Sequence, residues 1–242
     1  MSVQKAVVLA AGKGTRLKPV TEEIPKVMVE IAGRPLLHYS LSALSSAGVK
    51  EAAIIVGYMA DSVQEHFGAE FRGMKLTYIV QHQQMGTAHA ASLARRFCGT
   101  ESFLMLNGDT IFEKPLLKRV LEKTGFDCVM VAAETDNPSR YGVLEVEGDR
   151  VKNIIEKPAP GTEPSNLVNY GLYYFSPRIF EVIDNTKISP RGEFEITDSI
   201  KFLIADGKVA WVKSARRLLD ITNPEDIARA EKIVAESESD FS

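Results

Sequence analysis

The chain has 242 residues, of which 45% are hydrophobic and 25% are charged. These fractions are close to the averages of globular proteins, and they exclude a disordered, collagen-like or disulfide-scaffold protein. With 29 Lys and Arg against 32 Asp and Glu, the formal net charge is -3, so no overall basic field would draw the chain to nucleic acid or anionic lipid. The length suits one α/β domain with an added lobe.

The cysteines and the N-terminal residues are typical of a cytoplasmic protein. Cys98 and Cys128 lack CxxC spacing and a nearby histidine cluster, which favours two buried free thiols over a zinc site or a disulfide framework. The apolar segment over residues 6–11 is shorter than the core of a signal peptide. No apolar run approaches the ~20 residues of a membrane span. We therefore expect a cytoplasmic protein with neither a membrane nor a nucleic acid as partner.

Alternating strands and helices in the first part of the chain predict a doubly wound, mostly parallel sheet. The continuous apolar run over 6–11, which glycines end, fits a strand buried on both faces. After Pro35, leucines at helical spacing lead to Gly48, a typical helix end. Further strands are predicted over 52–56, 76–80, 103–106 and 128–133, and further helices over 61–67, 87–97 and 115–123. Residues 1–135 thus form an α/β unit of the size that binds a nucleotide.

Shorter strands with turn residues between them predict a smaller, partly antiparallel lobe over 136–222. Strands are expected over 143–146, 151–156, 167–175 and 209–212, and helices over 177–184 and 197–206. A closing segment is expected over 223–236, in which Asn223 can cap a helix that starts at Pro224. The acidic residues 237–242 are expected to form a frayed tail. We therefore predict a single Rossmann-like α/β domain over 1–236.

The first predicted strand runs into a glycine-rich turn, Gly12-Lys13-Gly14-Thr15-Arg16-Leu17. Open α/β sheets bind ligands at this carboxyl end of their strands, where backbone N–H groups can face phosphates. Leu17 stands where a dinucleotide fingerprint has its third glycine, and the sequence has no GxxxxGK[ST] P-loop, so neither of these two sites is predicted. Arg16, and Lys26 after Pro25, supply two separate cations suited to a triphosphate.

Three further segments place polar groups beside predicted strands and helices. One of them, Gln81-x-x-Gln84-x-Gly86-Thr87-Ala88-His89-Ala90, carries side-chain amides, each of which can offer a hydrogen-bond donor and an acceptor together. Its His89 is interpreted as a packed or capping residue. Asp109 follows the strand over 103–106, and a solitary aspartate is sufficient as half of a magnesium site. Asp220 lies in the third segment, Leu219-Asp220-Ile221-Thr222-Asn223-Pro224-Glu225-Asp226.

Together these segments resemble the sugar-1-phosphate nucleotidyltransferases, also called NDP-sugar pyrophosphorylases. The resemblance runs from Val7 to Asp226 in ordered motifs. The second lobe contributes Tyr141-Gly142, Ile155-Glu156-Lys157-Pro158 and Val168-Asn169-Tyr170-Gly171. The segment 191–198 also resembles the family, although its Glu195 and Thr197 are equally compatible with a simple helix start.

The resemblance implies a role for each of these residues. The residues expected to bind the nucleotide are Leu9, Ala10, Ala11, Gly12, Gly14, Thr15, Gln81, Gly86 and Thr87, with Gln81 reading the base. Arg16, Lys26 and Asp109 are expected to act in catalysis, and Asp109 and Asp220 to bind Mg²⁺. The residues expected to bind the sugar phosphate are Tyr141, Gly142, Glu156, Lys157, Asn169 and Gly171, which makes 136–222 the sugar-binding lobe.

The implied reaction is Mg²⁺-dependent transfer of a nucleotidyl group from a nucleoside triphosphate to a sugar 1-phosphate, with release of pyrophosphate. Gln81 favours UTP or dTTP as donor, and the favoured acceptor is glucose 1-phosphate or N-acetylglucosamine 1-phosphate. One alternative is a CTP- or GTP-dependent transfer to another phosphorylated acceptor, such as mannose 1-phosphate. Another is a non-catalytic subunit that senses nucleotides. No hexapeptide repeat is present, so no acyltransferase role is implied, and the sequence is compatible with a homo-oligomer.

Overall fold

The computed structural model describes residues 3–217 and 219–241. Its strands, in chain order, are β1 (Lys5–Ala10), β2 (Glu30–Ile31), β3 (Arg34–Pro35), β4 (Glu51–Val56), β5 (Glu70–Phe71), β6 (Met74–Val80), β7 (Phe103–Asn107), β8 (Cys128–Glu134), β9 (Gly142–Glu147), β10 (Arg150–Glu156), β11 (Leu167–Phe175) and β12 (Val209–Lys213). Strands β2 and β3 pair with each other as a small hairpin. The other ten strands form one sheet.

The large sheet has the order β5-β6-β4-β1-β7-β11-β8-β12-β10-β9. Strand β1 lies between β4 and β7 and pairs with both in parallel, as expected for the apolar run at its centre. Strand β11 is inserted antiparallel between β7 and β8. The predicted mostly parallel α/β fold is confirmed. The predicted smaller lobe shares this sheet, because β9 and β10 extend it through β12.

The helices are α1 (Leu36–Ser46), α2 (Ala60–Phe67), α3 (Thr87–Leu93), α4 (Arg95–Cys98), α5 (Lys114–Glu122), α6 (Ile179–Asp184), α7 (Ile196–Ala205), α8 (Pro224–Glu236) and α9 (Glu238–Phe241). The prediction of one continuous helix over 87–97 is wrong, because the structure has two helices there, α3 and α4. The helix divides at Ala94, whose N–H bonds to the Ala91 carbonyl three residues back instead of four. Such tightening of a last turn is common where a helix ends.

Apolar side chains cover both faces of the sheet, because successive residues of a strand point to opposite sides. Val8 of β1 joins a cluster with residues of α1, α2 and α5, whereas its neighbour Val7 joins a cluster with residues of α3, α6 and α7. Both side chains are fully buried. The sheet is therefore the middle layer between two layers of helices. Cys98 and Cys128 are free and buried, as predicted.

A third apolar cluster lies beneath the glycine-rich turn and includes Leu17, Tyr39 and Phe241. The expectation of a frayed tail is wrong here, because α9 is helical and Phe241 is only 2% exposed. The Phe241 ring packs in this cluster, and the Arg216 guanidinium lies 5.4 Å from the centre of that ring. Within residues 3–217 and 219–241, every helix is too short or too polar to span a membrane.

Candidate active site

Three adjoining cavities open at the carboxyl ends of the parallel strands. The glycine-loop cavity, about 240 Å³, is lined by Gly12, Gly14, Thr15, Arg16, Leu17, Lys26, Asp109, Asp220 and Thr222. The α3 cavity, about 260 Å³, is lined by Leu9, Ala11, Gly12, Gln81, Gln84, Gly86, Thr87, Ala90, Asn107, Asp109 and Glu193. The β11 cavity, about 220 Å³, is lined by Arg16, Thr87, Asn107, Arg140, Tyr141, Gly142, Glu156, Lys157, Asn169, Tyr173, Glu193, Glu195, Ile196, Thr197 and Asp220. Because neighbouring cavities share lining residues, they form one cleft.

The glycine-loop cavity depends on a close approach between Gly14 and Lys26. Gly14 has φ +63°, and a Cβ there would lie 2.8 Å from Cβ of Lys26. Thr21 also donates from Oγ1 to the Gly14 carbonyl at 2.8 Å, which holds the turn in place. A glycine is therefore needed here both for its left-handed backbone and for space. The turn leaves Arg16 exposed at the border of the β11 cavity.

Lys26 joins the two aspartates that were predicted to share a metal. Its Nζ lies 2.6 Å from Oδ2 of Asp109 and 3.7 Å from Oδ1 of Asp220. The two carboxylate oxygens can be no farther apart than the sum of these distances, although many residues separate them in the chain. An antiparallel bridge between Thr110 and Asp220 brings the two segments together. The structure thus places both carboxylates on one cavity.

The charges of this trio depend on one another. Burial raises the pKa of Asp220 to about 6, and the neighbouring charge of Asp109 adds to the rise. Burial acts against the charged form of Lys26, but the two carboxylates, Asp109 foremost, outweigh it and raise the pKa of Lys26. The ammonium stays charged while one of its partners is reluctant to ionise, a combination typical of functional sites.

In the α3 cavity, side-chain amides connect the end of β6 to neighbouring segments. Nε2 of Gln84 donates to the carbonyl of Ala11 at 2.6 Å, which joins this segment to the residue that precedes the glycine-rich turn. Gln81 is buried, and its Nε2 lies 2.9 Å from Nδ1 of His89. His89 is thus a direct neighbour of the residue predicted to read the base.

The segment after residue 190 connects the α3 cavity to the β11 cavity. Phe194 donates from its backbone to Met85 and accepts from Ala88, both at 2.8 Å. Oγ1 of Thr87 accepts from the backbone N–H of Ile196 at 2.9 Å. These bonds run across the first turn of α3, so residues from both predicted parts of the domain share one wall of the cleft.

Glu156 is the centre of the polar network in the β11 cavity. Its Oε2 accepts from Oγ1 of Thr197 at 3.0 Å, and its Oε1 lies 3.8 Å from Nζ of Lys157. Arg191 lies 3.4 Å from Oε1 of Glu156 and 2.9 Å from Oε1 of Glu195. Burial raises the pKa of Glu195, and the charge of Glu156 adds to the rise. Both Glu195 and Thr197, for which a simple helix start was an equal alternative, line the cavity.

Asn169 and Tyr141 complete the wall of this cavity. Nδ2 of Asn169 donates to the hydroxyl of Tyr173 at 2.5 Å, and its Oδ1 accepts from the backbone N–H of Gly171 at 3.1 Å. Burial raises the pKa of Tyr141 to about 12. A Cβ at Gly142 would lie 3.0 Å from Oε2 of Glu156, so the backbone approaches that carboxylate closely. The cavity therefore presents fixed hydrogen-bonding groups.

Of the residues predicted for the site, Ala10 and Gly171 do not line the three cavities. Ala10 is buried on the opposite face of β1 from Leu9. The direct sugar contact predicted for Gly171 finds no support in this geometry. Gly171 has φ +79°, and a Cβ there would collide with the side-chain amide of Asn107. Its place in the structure is thus to make room for Asn107.

The structure also brings in residues to which the sequence assigned no role. The polar ones are Gln84, Asn107, Arg140, Tyr173, Glu193 and Thr222. Asn107 and Thr222 each stand two positions from a predicted aspartate, and that proximity is the signal that could have identified them. Asn107 borders both the α3 cavity and the β11 cavity, so it lies where contents of the two would meet.

Known proteins show the same sequence pattern and fold. The family described as nucleotidyl transferase matches residues 5–237. The UTP–glucose-1-phosphate uridylyltransferase AglF of Haloferax volcanii is 39% identical, with 96% of this chain and 97% of AglF covered. The bifunctional protein GlmU of Methanococcus maripaludis is 37% identical over 93% of this chain, which spans 53% of GlmU. A crystal structure of UDP-glucose pyrophosphorylase with UDP-glucose has a TM-score of 0.85 and 25% identity, covering 97% of this chain and 99% of that one.

Proposed function

The chain belongs to the nucleotidyl transferase family, and on that basis we propose that it transfers a nucleotidyl group from a nucleoside triphosphate to a sugar 1-phosphate. The observation that carries this proposal is the continuity of the three cavities. The reaction needs two substrates held side by side with their phosphates in contact. Arg16, Asp109 and Asp220 each border two cavities, and such charged groups suit the place where the phosphates would meet.

The donor nucleotide would occupy the α3 cavity and the glycine-loop cavity. In this arrangement its base lies against Gln81 and Gly86, and its phosphates lie along the turn at 12–16. Exposed backbone N–H groups and the guanidinium of Arg16 are suited to a triphosphate, because they offer donors and positive charge together. Leu9 and Ala11, which line the α3 cavity, give the nucleoside an apolar floor.

The acceptor would occupy the β11 cavity. The carboxylate of Glu156 and the amide of Asn169 are positioned to meet sugar hydroxyls, and Lys157 to meet the sugar phosphate. A short polar side chain held by other bonds distinguishes the presence of a hydroxyl from its absence. Oε2 of Glu156 is fixed by Thr197, and Asn169 by Tyr173. We therefore assign recognition of the sugar to this wall.

In the chemical step, an oxygen of the sugar phosphate attacks the α-phosphorus of the triphosphate. A new phosphorus–oxygen bond forms as the bond from the α-phosphorus to the bridging oxygen breaks, and that oxygen leaves with pyrophosphate. The attacking phosphate is already an anion, so no base is required. Arg16 stabilises the charge that grows on pyrophosphate, while Lys26 and Lys157 neutralise the phosphates that approach each other. Catalysis then comes from alignment and charge.

Asp109 and Asp220 have the chemistry expected of a magnesium site. Both are hard oxygen donors, both line the glycine-loop cavity, and both lie within ion-pair distance of Lys26. Magnesium is usually held by one or two carboxylates together with substrate phosphates and water, so this pair fits it. Bound there, the ion would supply further positive charge for the phosphates. Lys26 pairs with both carboxylates, so the three charged groups lie together at this cavity.

UTP or dTTP is the proposed donor, and glucose 1-phosphate or N-acetylglucosamine 1-phosphate is the proposed acceptor. The test is an assay of pyrophosphate release with all four common ribonucleoside triphosphates and dTTP, each against a panel of sugar phosphates, with mass spectrometry of the product. Pyrophosphate and the matching NDP-sugar are expected only where both substrates are present. Release with CTP or GTP and mannose 1-phosphate would identify the other donor class. If nucleotide binds and no pair reacts, the chain is a nucleotide-sensing protein instead.

A further inference from the structure

His89 packs against the amide of Gln81, a residue that lines the α3 cavity. Nε2 of Gln81 lies 2.9 Å from Nδ1 of His89 and 3.3 Å from the carbonyl oxygen of Gly86. Gln81 is only 5% exposed, so its side chain has little room to turn. Its backbone is also fixed, because the Gln81 N–H donates to the Val56 carbonyl at 2.7 Å. The proposed function assigns the base contact to Gln81 and leaves His89 without a part.

The two neighbours of Nε2 determine which way the amide points. The carbonyl of Gly86 can only accept a hydrogen bond, so the amide nitrogen of Gln81 must face it rather than the amide oxygen. The second hydrogen on that nitrogen then points at Nδ1 of His89, which must accept. His89 is therefore neutral in this arrangement, with its proton on Nε2. Oε1 of Gln81 is left as the amide atom available to a ligand.

Resting on the proposed function, we infer that His89 is a positioning residue for nucleotide selection. By accepting from Nε2 of Gln81, it keeps Oε1 of Gln81 turned toward the base as a hydrogen-bond acceptor. Uracil and thymine present an N–H at the centre of their pairing edge, whereas cytosine presents a bare nitrogen there. An acceptor facing an acceptor leaves two buried polar atoms unpaired, which sites of this kind reject strongly. His89 thus favours UTP or dTTP over CTP without touching the nucleotide.

The test compares UTP with CTP in four purified single variants and one double variant, using glucose 1-phosphate as acceptor. His89→Ala removes the acceptor that holds Gln81. His89→Asn is the conservative variant, because its side-chain oxygen can stand close to where Nδ1 was. Gln81→Ala removes the base contact itself. The matched control is His66→Ala, since His66 is an exposed histidine on α2, outside the three cavities.

We expect His89→Ala to raise the KM for UTP about five- to tenfold, the equivalent of one net hydrogen bond, with kcat nearly unchanged. The KM for CTP should change little, so the preference for UTP falls. His89→Asn should restore that preference, and His66→Ala should leave it intact. In a Gln81→Ala background, His89→Ala should have no further effect on the preference. An unchanged ratio of UTP to CTP in His89→Ala, or equal losses for both nucleotides, would overturn the inference.

A measurement on the wild-type protein covers the case in which His89→Ala fails to fold. Nitrogen NMR of the imidazoles in the intact protein, assigned with the His89→Asn variant, reports which ring nitrogen carries the proton. A proton on Nε2 of His89 supports the inference, and a proton on Nδ1 overturns it. If the wild-type protein transfers no nucleotide at all, the proposed function fails instead. The NMR result and the relative binding of UTP and CTP then still test His89.

Discussion

Gly86 packs directly against the backbone of Phe194, so closely that an added Cβ would lie 2.8 Å from the Phe194 nitrogen and closer still to its carbonyl oxygen. The two residues lie far apart in the chain, yet their segments exchange backbone hydrogen bonds at the first turn of α3. The wall between the α3 cavity and the β11 cavity therefore requires a glycine at position 86, because any side chain there would displace the Phe194 backbone.

Replacing Gly86 by alanine should destabilise the protein and weaken nucleotide binding together. At φ +106° a side chain is strained, and the new methyl group would push the Phe194 backbone away. We expect a loss of about 3 kcal/mol or more in the free energy of unfolding. Gly99→Ala is the matched control, because Gly99 has φ +60° and ψ −124°, which also strain a side chain, but has open space around it. Only the backbone strain, about 1–3 kcal/mol, is therefore expected there. Equal losses in denaturant unfolding would contradict this account of the wall.

Asp109 and Asp220 should behave as one unit in catalysis. If both hold the same ion, removing either should lower kcat/KM about a hundredfold or more, and removing both should cost little beyond that. The measurement is a double-mutant cycle with Asp109→Ala and Asp220→Ala at saturating magnesium. The exposed Asp61 on α2 provides a control, Asp61→Ala, with no expected effect. Losses that multiply fully would show that the two carboxylates act separately.

Arg16→Ala should lower kcat far more than it changes KM. Its proposed partner, the departing pyrophosphate, gains charge as the bond breaks, so the lost interaction is one that strengthens in the transition state. A decrease of about a hundredfold in kcat is expected. Lys18→Ala removes a nearby exposed cation that pairs with Glu22 on the surface, and it should leave kcat intact. Steady-state kinetics of both variants decide the matter, and a normal kcat in Arg16→Ala would refute the role.

Asp226 should be more important for stability than an exposed aspartate in an ion pair. One of its carboxylate oxygens accepts from the backbone N–H and Oγ1 of Thr222 and from the backbone N–H of Asn223, between 2.8 and 3.0 Å. Asp226→Ala leaves these buried donors unpaired, so we expect a loss of about 2–4 kcal/mol. Asp184→Ala removes only an exposed pair with Arg95 and should cost less than about 1 kcal/mol. Chemical denaturation of both variants provides the comparison, and a similar midpoint for the two would argue against this reading.

Local patterns predicted most of the helices and strands, because hydrophobic periodicity and capping residues depend only on residues close together in the chain. The strand expected over 167–175 has those bounds in the structure, and the helix expected from Pro224 begins there with Asn223 as its cap. The position of β11 between β7 and β8 was not predictable in this way, since antiparallel pairing between distant segments leaves no local trace. Nor did the acidic tail reveal that Phe241 would be buried.

Prediction of the site likewise rested on local motifs and did not extend to contacts between distant segments. Motifs identified Asp109 and Asp220, and the structure places both beside Lys26. Contacts that depend on how the motifs pack could not be found from the sequence. The bond between Gln81 and His89 joins residues eight positions apart across a turn whose shape was unknown, and the packing of Gly171 against Asn107 depends on neighbouring strands. Motifs therefore predict which side chains reach the cleft better than they predict the contacts that hold those side chains in place.

The ten-stranded sheet also sets the distance between the two substrate compartments of the cleft. The proposed base compartment lies at the end of β6 and the acceptor compartment beside β11, with β4, β1 and β7 between them. Adjacent strands are about 4.8 Å apart, so this separation is set by the backbone rather than by side chains. Donor choice and acceptor choice should then be separable. The residues of β9 to β11 that line the β11 cavity can be exchanged for those of a relative that uses another sugar. The variant should then accept that sugar while its nucleotide preference stays the same.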